Sequence, residues 1–397
     1  MRYATSGWWI ALILLAAPAG AVDADKISWQ KIQLDDKFRS EGCAVADFNH
    51  DGKLDIAAGP VYYAAGDWKL VSMLEKPPEY DPHGYSNSFV NGADDLNGDG
   101  WVDLIVVDFP SKETWWFENP GSAGGPWKRH VCTPVSNTES PQYVDVDGDG
   151  KRELLMAVAP NSDAADGPDR QMAILKPRSD PYALWSIRPI SAKAAPYTVR
   201  YSHGLGVGDI NRDGRNDVLV PRGWWEAPAD PQQAEWTFHD APFGEPPDGS
   251  AAAHLFVYDF DGDGDADVIG SAAHALGIWW HEQTPAGWKT HEISRVCSQT
   301  HALCMADING DGLPDLITGK RYWAHGPAGD IDPGAAALVV WLELGRKDGK
   351  PTWTEHVIDT DSGVGTQFEV ADIDGDGLLD VATSNKKGVR WFKQVRK

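Results

Sequence analysis

Seven times the chain spells nearly the same nine-residue acidic loop, and each copy runs straight into an aliphatic stretch with the composition of a β-strand. The first copy is Asp47-Phe-Asn-His-Asp-Gly-Lys-Leu-Asp55, and the others open at Asp95, Asp145, Asp209, Asp259, Asp307 and Asp372. Successive first aspartates lie 48, 50, 64, 50, 48 and 65 residues apart. A repeat of that length, with one strand cluster per unit, belongs to propellers and solenoids, whose units bury their apolar faces only by stacking.

In the pattern Asp-x-Asp-x-Asp-Gly-x-x-Asp, oxygens at alternate positions converge, the glycine permits a sharp reversal, and the last carboxylate completes a hard-oxygen shell suited to Ca2+. The expected calcium ligands are Asp47, Asn49, Asp51 and Asp55; Asp95, Asn97, Asp99 and Asp103; Asp145, Asp147, Asp149 and Glu153; Asp209, Asn211, Asp213 and Asp217. The last three loops add Asp259, Asp261, Asp263 and Asp267; Asp307, Asn309, Asp311 and Asp315; Asp372, Asp374, Asp376 and Asp380. Asn at position three keeps an oxygen but lowers the charge, so the four Asn loops are expected to bind less tightly than the others. An EF-hand would need flanking helices and a glutamate at position twelve, and neither is present.

Short apolar runs follow the loops, among them Leu104–Val107, Leu154–Met156, Val218–Val220, Val268–Ile269 and Leu316–Ile317. An aromatic stretch comes next (Trp115-Trp116, Trp224-Trp225, Trp279-Trp280, Trp341, Trp391-Phe392). An alternating strand led by Trp29, Trp68, Trp127, Trp185, Trp236, Trp288 or Trp353 completes the pattern. Inner strand, loop, second strand, aromatic third strand and outer strand make one propeller blade. The seventh unit stops after its third strand, while Trp29–Leu34 reads as an outer strand with no unit before it. The expected fold is therefore all-β: a seven-bladed β-propeller of four-stranded antiparallel blades, closed by the N-terminal strand completing the last blade, which removes an exposed edge. The two long intervals are expected to hold extra loops near 159–171 and 324–337.

Residues 1–21 read as a secretory signal peptide, with Arg2, an apolar stretch from Trp8 to Ala17 and a small-residue cleavage site at Ala19–Ala21. The apolar stretch is too short for a membrane span. Residues 22–397 form the single expected domain, a periplasmic or secreted monomer. Of the four cysteines only Cys297 and Cys304 are close enough in sequence to suggest a disulfide, while Cys43 and Cys304 fall in inner strands as buried thiols. The net charge of −24 is concentrated in the seven loops, and no basic stripe exists to meet nucleic-acid phosphates.

Propeller ligands commonly sit where the inner strands begin. Counting six residues back from each loop gives Glu41, Phe89, Glu139, His203, Ala253, His301 and Thr366, with His254 one position off. Glu139, His203, His254 and His301 form a candidate channel site for a divalent transition metal, or supply acid and base groups directly. Lys320, Arg321, Tyr322 and His325 follow the strand after the sixth loop, and His274 and His281 lie after the fifth. No hydrolase triad, phosphate loop or dinucleotide fingerprint is visible.

On its seven loops the chain resembles the FG-GAP or VCBS repeat family of calcium-loop propellers, which includes the integrin α-subunit head. Ser202-His-Gly-Leu-Gly-Val-Gly-Asp209, Gln299-Thr-His-Ala-Leu303 and Thr318-Gly-Lys-Arg-Tyr-Trp-Ala-His325 are similar to stretches of exported propellers related to the propeller domain of aldos-2-ulose dehydratase. That enzyme's cupin domains are absent here. The resemblance implies a carbohydrate substrate and β-elimination beside a sugar carbonyl. His203 or His301 would be the base, and Arg321, Lys320 or a His-bound cation would stabilise the enolate. Tyr322 or another histidine would protonate the departing oxygen. The integrin-like members imply the alternative, a noncatalytic module that binds a glycan or protein.

Overall fold

The aliphatic run after each loop is the strand marked most clearly by the sequence, and in the computed structural model it is the most deeply buried. The structure describes residues 22–159, 166–230, 233–246 and 251–396, so the expected signal peptide lies outside the described residues, as does part of the 159–171 insert. In the second unit Val90–Asp94, Asp103–Val107, Lys112–Glu118 and Lys128–Ser136 pair antiparallel in that order. Asp103–Val107 is buried throughout, because it has neighbours on both edges and packs on both faces, whereas the outer strand Lys350–Asp359 of the sixth unit alternates with solvent.

The same four-strand order recurs around all seven loops. Units two and three are joined into one eight-stranded sheet through a single pairing, Val158 with Ser136. Ile27–Asp35 pairs antiparallel with Gly388–Arg396 and so supplies the seventh unit's outer strand. Helix is confined to three-residue 3-10 turns among the described residues. The architecture is thus all-β, made of antiparallel four-stranded sheets.

The core lies between units. Ala44 and Phe48 of the first unit cluster with Leu104 and Phe117 of the second, Ile105 and Trp116 with Leu154 and Trp185, and Leu155 with Val218 and Trp225. The series continues with Leu219 and Leu255, then Trp280 with Leu316 and Leu342. The last cluster joins Ile317 and Trp341 of unit six to Val381 and Phe392 of unit seven and Ile56 and Tyr63 of unit one. Each sheet therefore buries its two faces against two neighbours, the arrangement a repeat needs when one unit cannot make a core.

The four cysteines are free, so Cys297 and Cys304 are not bonded. Burial pushes the Cys297 thiol up to about 12 and the Cys43 thiol well above its ordinary value, which leaves them unreactive packing groups.

Candidate functional site

An inner strand runs toward its acidic loop and the second strand runs away from it, so residues before inner strands and after second strands meet at the other end of the units. That rule brings Glu41, Glu139, His203 and His301 together with His274, Arg321 and Asp330. Backbone bonds stitch this end from unit to unit: Glu41 N donates to Ser88 O, Glu139 N to Ser202 O, Gly204 N to Ala253 O and Thr366 N to Glu41 O, at 2.8–2.9 Å.

Three imidazoles from units four, five and six converge. One ring nitrogen each from His203, His274 and His301 lies within 4.8 Å of the other two, and His203 Nε2 is 3.2 Å from His274 Nε2. Glu139 stands beside them, its Oε2 3.1 Å from His203 Nε2 and its Oε1 accepting from Arg321 Nη1 at 2.6 Å. Arg321 comes from unit six and Glu139 from unit three, and both are buried; Glu41 lies 3.9 Å from Arg321 Nε. Asp330 faces His274 Nδ1 at 3.5 Å and accepts from His325 Nδ1 at 2.7 Å. His301 Nδ1 and Arg321 Nη2 are buried without hydrogen-bond partners, while His301 Nε2 lies 3.5 Å from Glu139 Oε1.

The electrostatics follow from burial and pairing. Burial opposes a charge on Glu139, but Arg321 and the His203 and His301 rings outweigh it and hold the carboxyl well below its usual range. Glu41, equally buried but paired less closely, is pushed up. Burial and the neighbouring His203 bring His274 down to about 4, and burial with the Arg321 charge takes His301 well below the usual imidazole range. These rings are neutral at physiological pH, with lone pairs available to a metal or a proton. On the rim Tyr85 lies 5.2 Å from Phe109, and Phe109 lies 5.6 Å from Tyr201. Lys386 sits 4.6 Å over the Tyr85 ring.

Several residues singled out in the sequence stand elsewhere. His254 belongs to the inner strands rather than the imidazole cluster. Its Nδ1 lies 3.3 Å from Leu303 O, and burial lowers it to about 4. The His274 ring takes the place in the cluster that the one-position offset suggested for His254. Lys320 points away, donating to Ser298 Oγ at 2.7 Å. Tyr322 lies beside Trp323 and under Lys387. His281 is buried within its own sheet, 3.0 Å from Thr290 Oγ1. Asp330 and Lys386 were not singled out in the sequence. Asp330 lies in the 324–337 insert, and an insert that the repeat does not need is the signal that could have found it.

At the opposite end the acidic loops share one geometry. The position-six glycines have φ between 82° and 105°, left-handed backbone that other residues rarely adopt. The first aspartate receives the amides that follow, as Gly98 N and Gly100 N donate to the two oxygens of Asp95 at 2.8 and 2.9 Å. The closing carboxylate is the first residue of the second strand, fully buried in every unit but one, where it is 1% exposed. It clips two segments together: Asp315 accepts from Ile308 N and Leu344 N at 2.9 Å, and Asp103 from Leu96 N and Asn119 N. Burial pushes Asp315 and Asp103 up to about 7. In loops three, five and seven the carboxylates at positions one, three and five bring oxygens within 4.8 Å of one another. In loop five, whose carboxylates meet no lysine, that donor set of closely spaced hard oxygens fits a calcium ion.

The chain carries FG-GAP-like repeats: the model of that repeat family matches residues 95–156 and 237–318. No curated protein sequence matches the chain. Among solved structures, an Agrocybe aegerita lectin described as recognising non-reducing terminal N-acetylglucosamine is 14% identical, with 93% of this chain and 86% of that one covered and a TM-score of 0.48. The exotype rhamnogalacturonan lyase YesX is 13% identical over 96% of this chain and 75% of its own, with a TM-score of 0.44. A thermostable family-43 glycoside hydrolase is 13% identical over 70% and 99%, with a TM-score of 0.36. Among the described residues no helix is long and apolar enough to cross a membrane.

Proposed function

We propose that the chain is an exported, calcium-stabilised, seven-bladed propeller whose mouth catalyses β-elimination on a keto-sugar or related carbohydrate. Closure of the ring is supported by the core that units six, seven and one share and by the pairing of Ile27–Asp35 with Gly388–Arg396. Calcium is supported by the fit of the loop oxygens.

The observation that carries the catalytic reading is the convergence of the His203, His274 and His301 rings beside a buried Arg–Glu pair. The three imidazoles fit a divalent transition metal and would hold it. Glu139 does not serve as a fourth ligand, because Arg321 and His203 already engage its two oxygens. A bound metal of that kind supplies Lewis acidity toward a carbonyl oxygen.

The chain's own groups do the rest. Arg321, fixed by Glu139, offers its unpartnered Nη2 to the oxygen on which negative charge develops. His325, oriented by Asp330, takes the proton α to the carbonyl and returns it to the departing oxygen. It takes the base role that the sequence left to His203 or His301, since those rings face each other and the buried pair. Tyr85, Phe109 and Tyr201 offer flat apolar faces to a sugar ring. A cleft of about 530 Å³ lined by Tyr85, Asp108, Phe109, Lys112, Trp115 and Arg129 leaves room for the remainder of the ligand.

The test is to incubate the protein with keto-sugars and follow the absorbance of the unsaturated carbonyl product, with elemental analysis of bound metal. The wild type should form product, and the His203→Ala/His301→Ala double variant should lose it while remaining folded. Equal turnover by the two would sink the catalytic reading. A second reading, a noncatalytic glycan-binding module, is favoured by the aromatic rim alone. Glycan binding undiminished in the double variant, with no product from either protein, would establish it.

A further inference from the structure

The residue that sits opposite each closing carboxylate in the sheet differs in a way that divides the seven loops. The third strand pairs with the second so that Leu154 faces Leu175, Val218 faces Trp225, Leu316 faces Leu342 and Val381 faces Phe392. One residue further along, the closing carboxylate of units two, four, five and six meets Glu118, Glu226, Glu282 and Glu343. Each of these glutamates holds a histidine of the outer strand (His130, His239, His291, His356) at 2.6–2.9 Å. Each histidine in turn stacks at 4.3–4.5 Å on the tryptophan two residues before its glutamate. In units three and seven the same register position is lysine, Lys176 and Lys393, and in unit one it is Ala64.

Lys176 Nζ lies 2.8 Å from Asp147 Oδ2, 2.8 Å from Asp149 Oδ2 and 3.0 Å from Glu153 Oε1. One ammonium, with three donors, thus meets the carboxylates at positions three, five and nine of its loop. Arg188, which occupies the place of the stacked histidines, adds a contact to Asp147 at 2.9 Å. Lys393 bonds Asp374 and lies 3.2 Å from Asp376, positions three and five of the seventh loop. The arginines that touch other loops, Arg215 on Asp213 and Arg212 on Asp259, each meet a single loop carboxylate.

We infer that Lys176 and Lys393 are the resident cations of the third and seventh loops, so that these two loops fold without calcium while the other five bind it. The inference rests on the calcium reading of the loops. It reverses the ranking expected from charge alone, since the third and seventh loops are among those richest in carboxylate. Two cations cannot share one cage of this size: an ammonium among the carboxylates repels a divalent ion and occupies the oxygens it would use.

The experiment counts bound calcium in the whole mature protein by native mass spectrometry after dialysis against Ca2+, with circular dichroism to establish folding. The wild type should hold five ions, Lys176→Met six, and the Lys176→Met/Lys393→Met double variant seven. Where the lysine variants fail to fold, Asp149→Asn and Asp263→Asn decide the matter: the first should leave the count unchanged and the second should lower it by one. A wild type that binds seven, a Lys176→Met protein that gains none, or an Asp149→Asn protein that loses one would overturn the lysine assignment while leaving the calcium reading intact. A wild type that binds none would overturn the calcium reading itself.

Discussion

The two ends of these sheets are built on opposite plans. At the loop end one arrangement is repeated: a closing carboxylate enters the second strand and, in six of the seven units, accepts one amide from the loop and one from the third strand or the residue just after it. At the mouth the contributions differ, glutamates from units one and three, imidazoles from units four to six and a guanidinium from unit six, and they leave polar atoms buried without partners. Repetition of one paired clip is what stability requires of seven equivalent wedges. Departure from the repeat, with pairing left incomplete, is what a ligand can use.

The largest effect expected from breaking this contrast is at the buried ion pair. Arg321→Met should leave the buried Glu139 carboxylate without its guanidinium partner, lowering stability by about 3–5 kcal/mol in denaturant titration. Adding Glu139→Gln should recover part of that loss, because the unpaired charge is then gone. A single variant as stable as the wild type would mean that water already reaches the pair. Next comes His301→Ala, which should abolish stoichiometric transition-metal binding and cut turnover about 100-fold or more with little change in melting temperature. A fall in melting temperature with metal retained would assign His301 to packing instead.

The repeat made the fold legible. Spacing of the loops gave the unit, the tryptophans gave the outer strands, and the unmatched Trp29–Leu34 segment pointed to its partner Gly388–Arg396. The mouth was legible only in part. Counting back from the loops reaches residues that precede inner strands, and so it found Glu139, His203 and His301. Residues that follow second strands depend on turn geometry, which has no fixed spacing. His274 was therefore noted only as a neighbour, and Asp330 was missed inside an insert. His254 misled because a shift of one residue in a strand turns the side chain to the other face. Nor does the loop motif reveal which loops carry a lysine, because Lys176 and Lys393 reach them from another strand and become neighbours only through sheet register.

A smaller effect tests the clip at the loop end. Asp315→Ala leaves Ile308 N and Leu344 N without their acceptor in a buried setting, which should cost about 1–3 kcal/mol even in chelator. Asp311→Asn, at a more exposed ligand position, should leave stability in chelator unchanged and weaken calcium binding instead. The same loss from both substitutions in chelator would erase the distinction between clip and ligand.

The smallest effect probes a carboxyl between the two ends. Glu369, on the inner strand Phe368–Ala371, is pushed up to about 7 by burial, with the Arg152 charge and a hydrogen bond from Gln367 opposing the shift. A folded-state value above the ordinary 4.5 means that the folded protein keeps a proton which the unfolded chain releases. This contribution is fully present below the ordinary value and is lost as pH rises through about 7. Glu369→Gln carries no such penalty, so its melting temperature should match the wild type at pH 4 and exceed it by a few degrees at pH 8. The side chain keeps partial contact with solvent, which limits the gain. A difference of the same size at both pH values would show that the substitution acts through packing rather than through the proton.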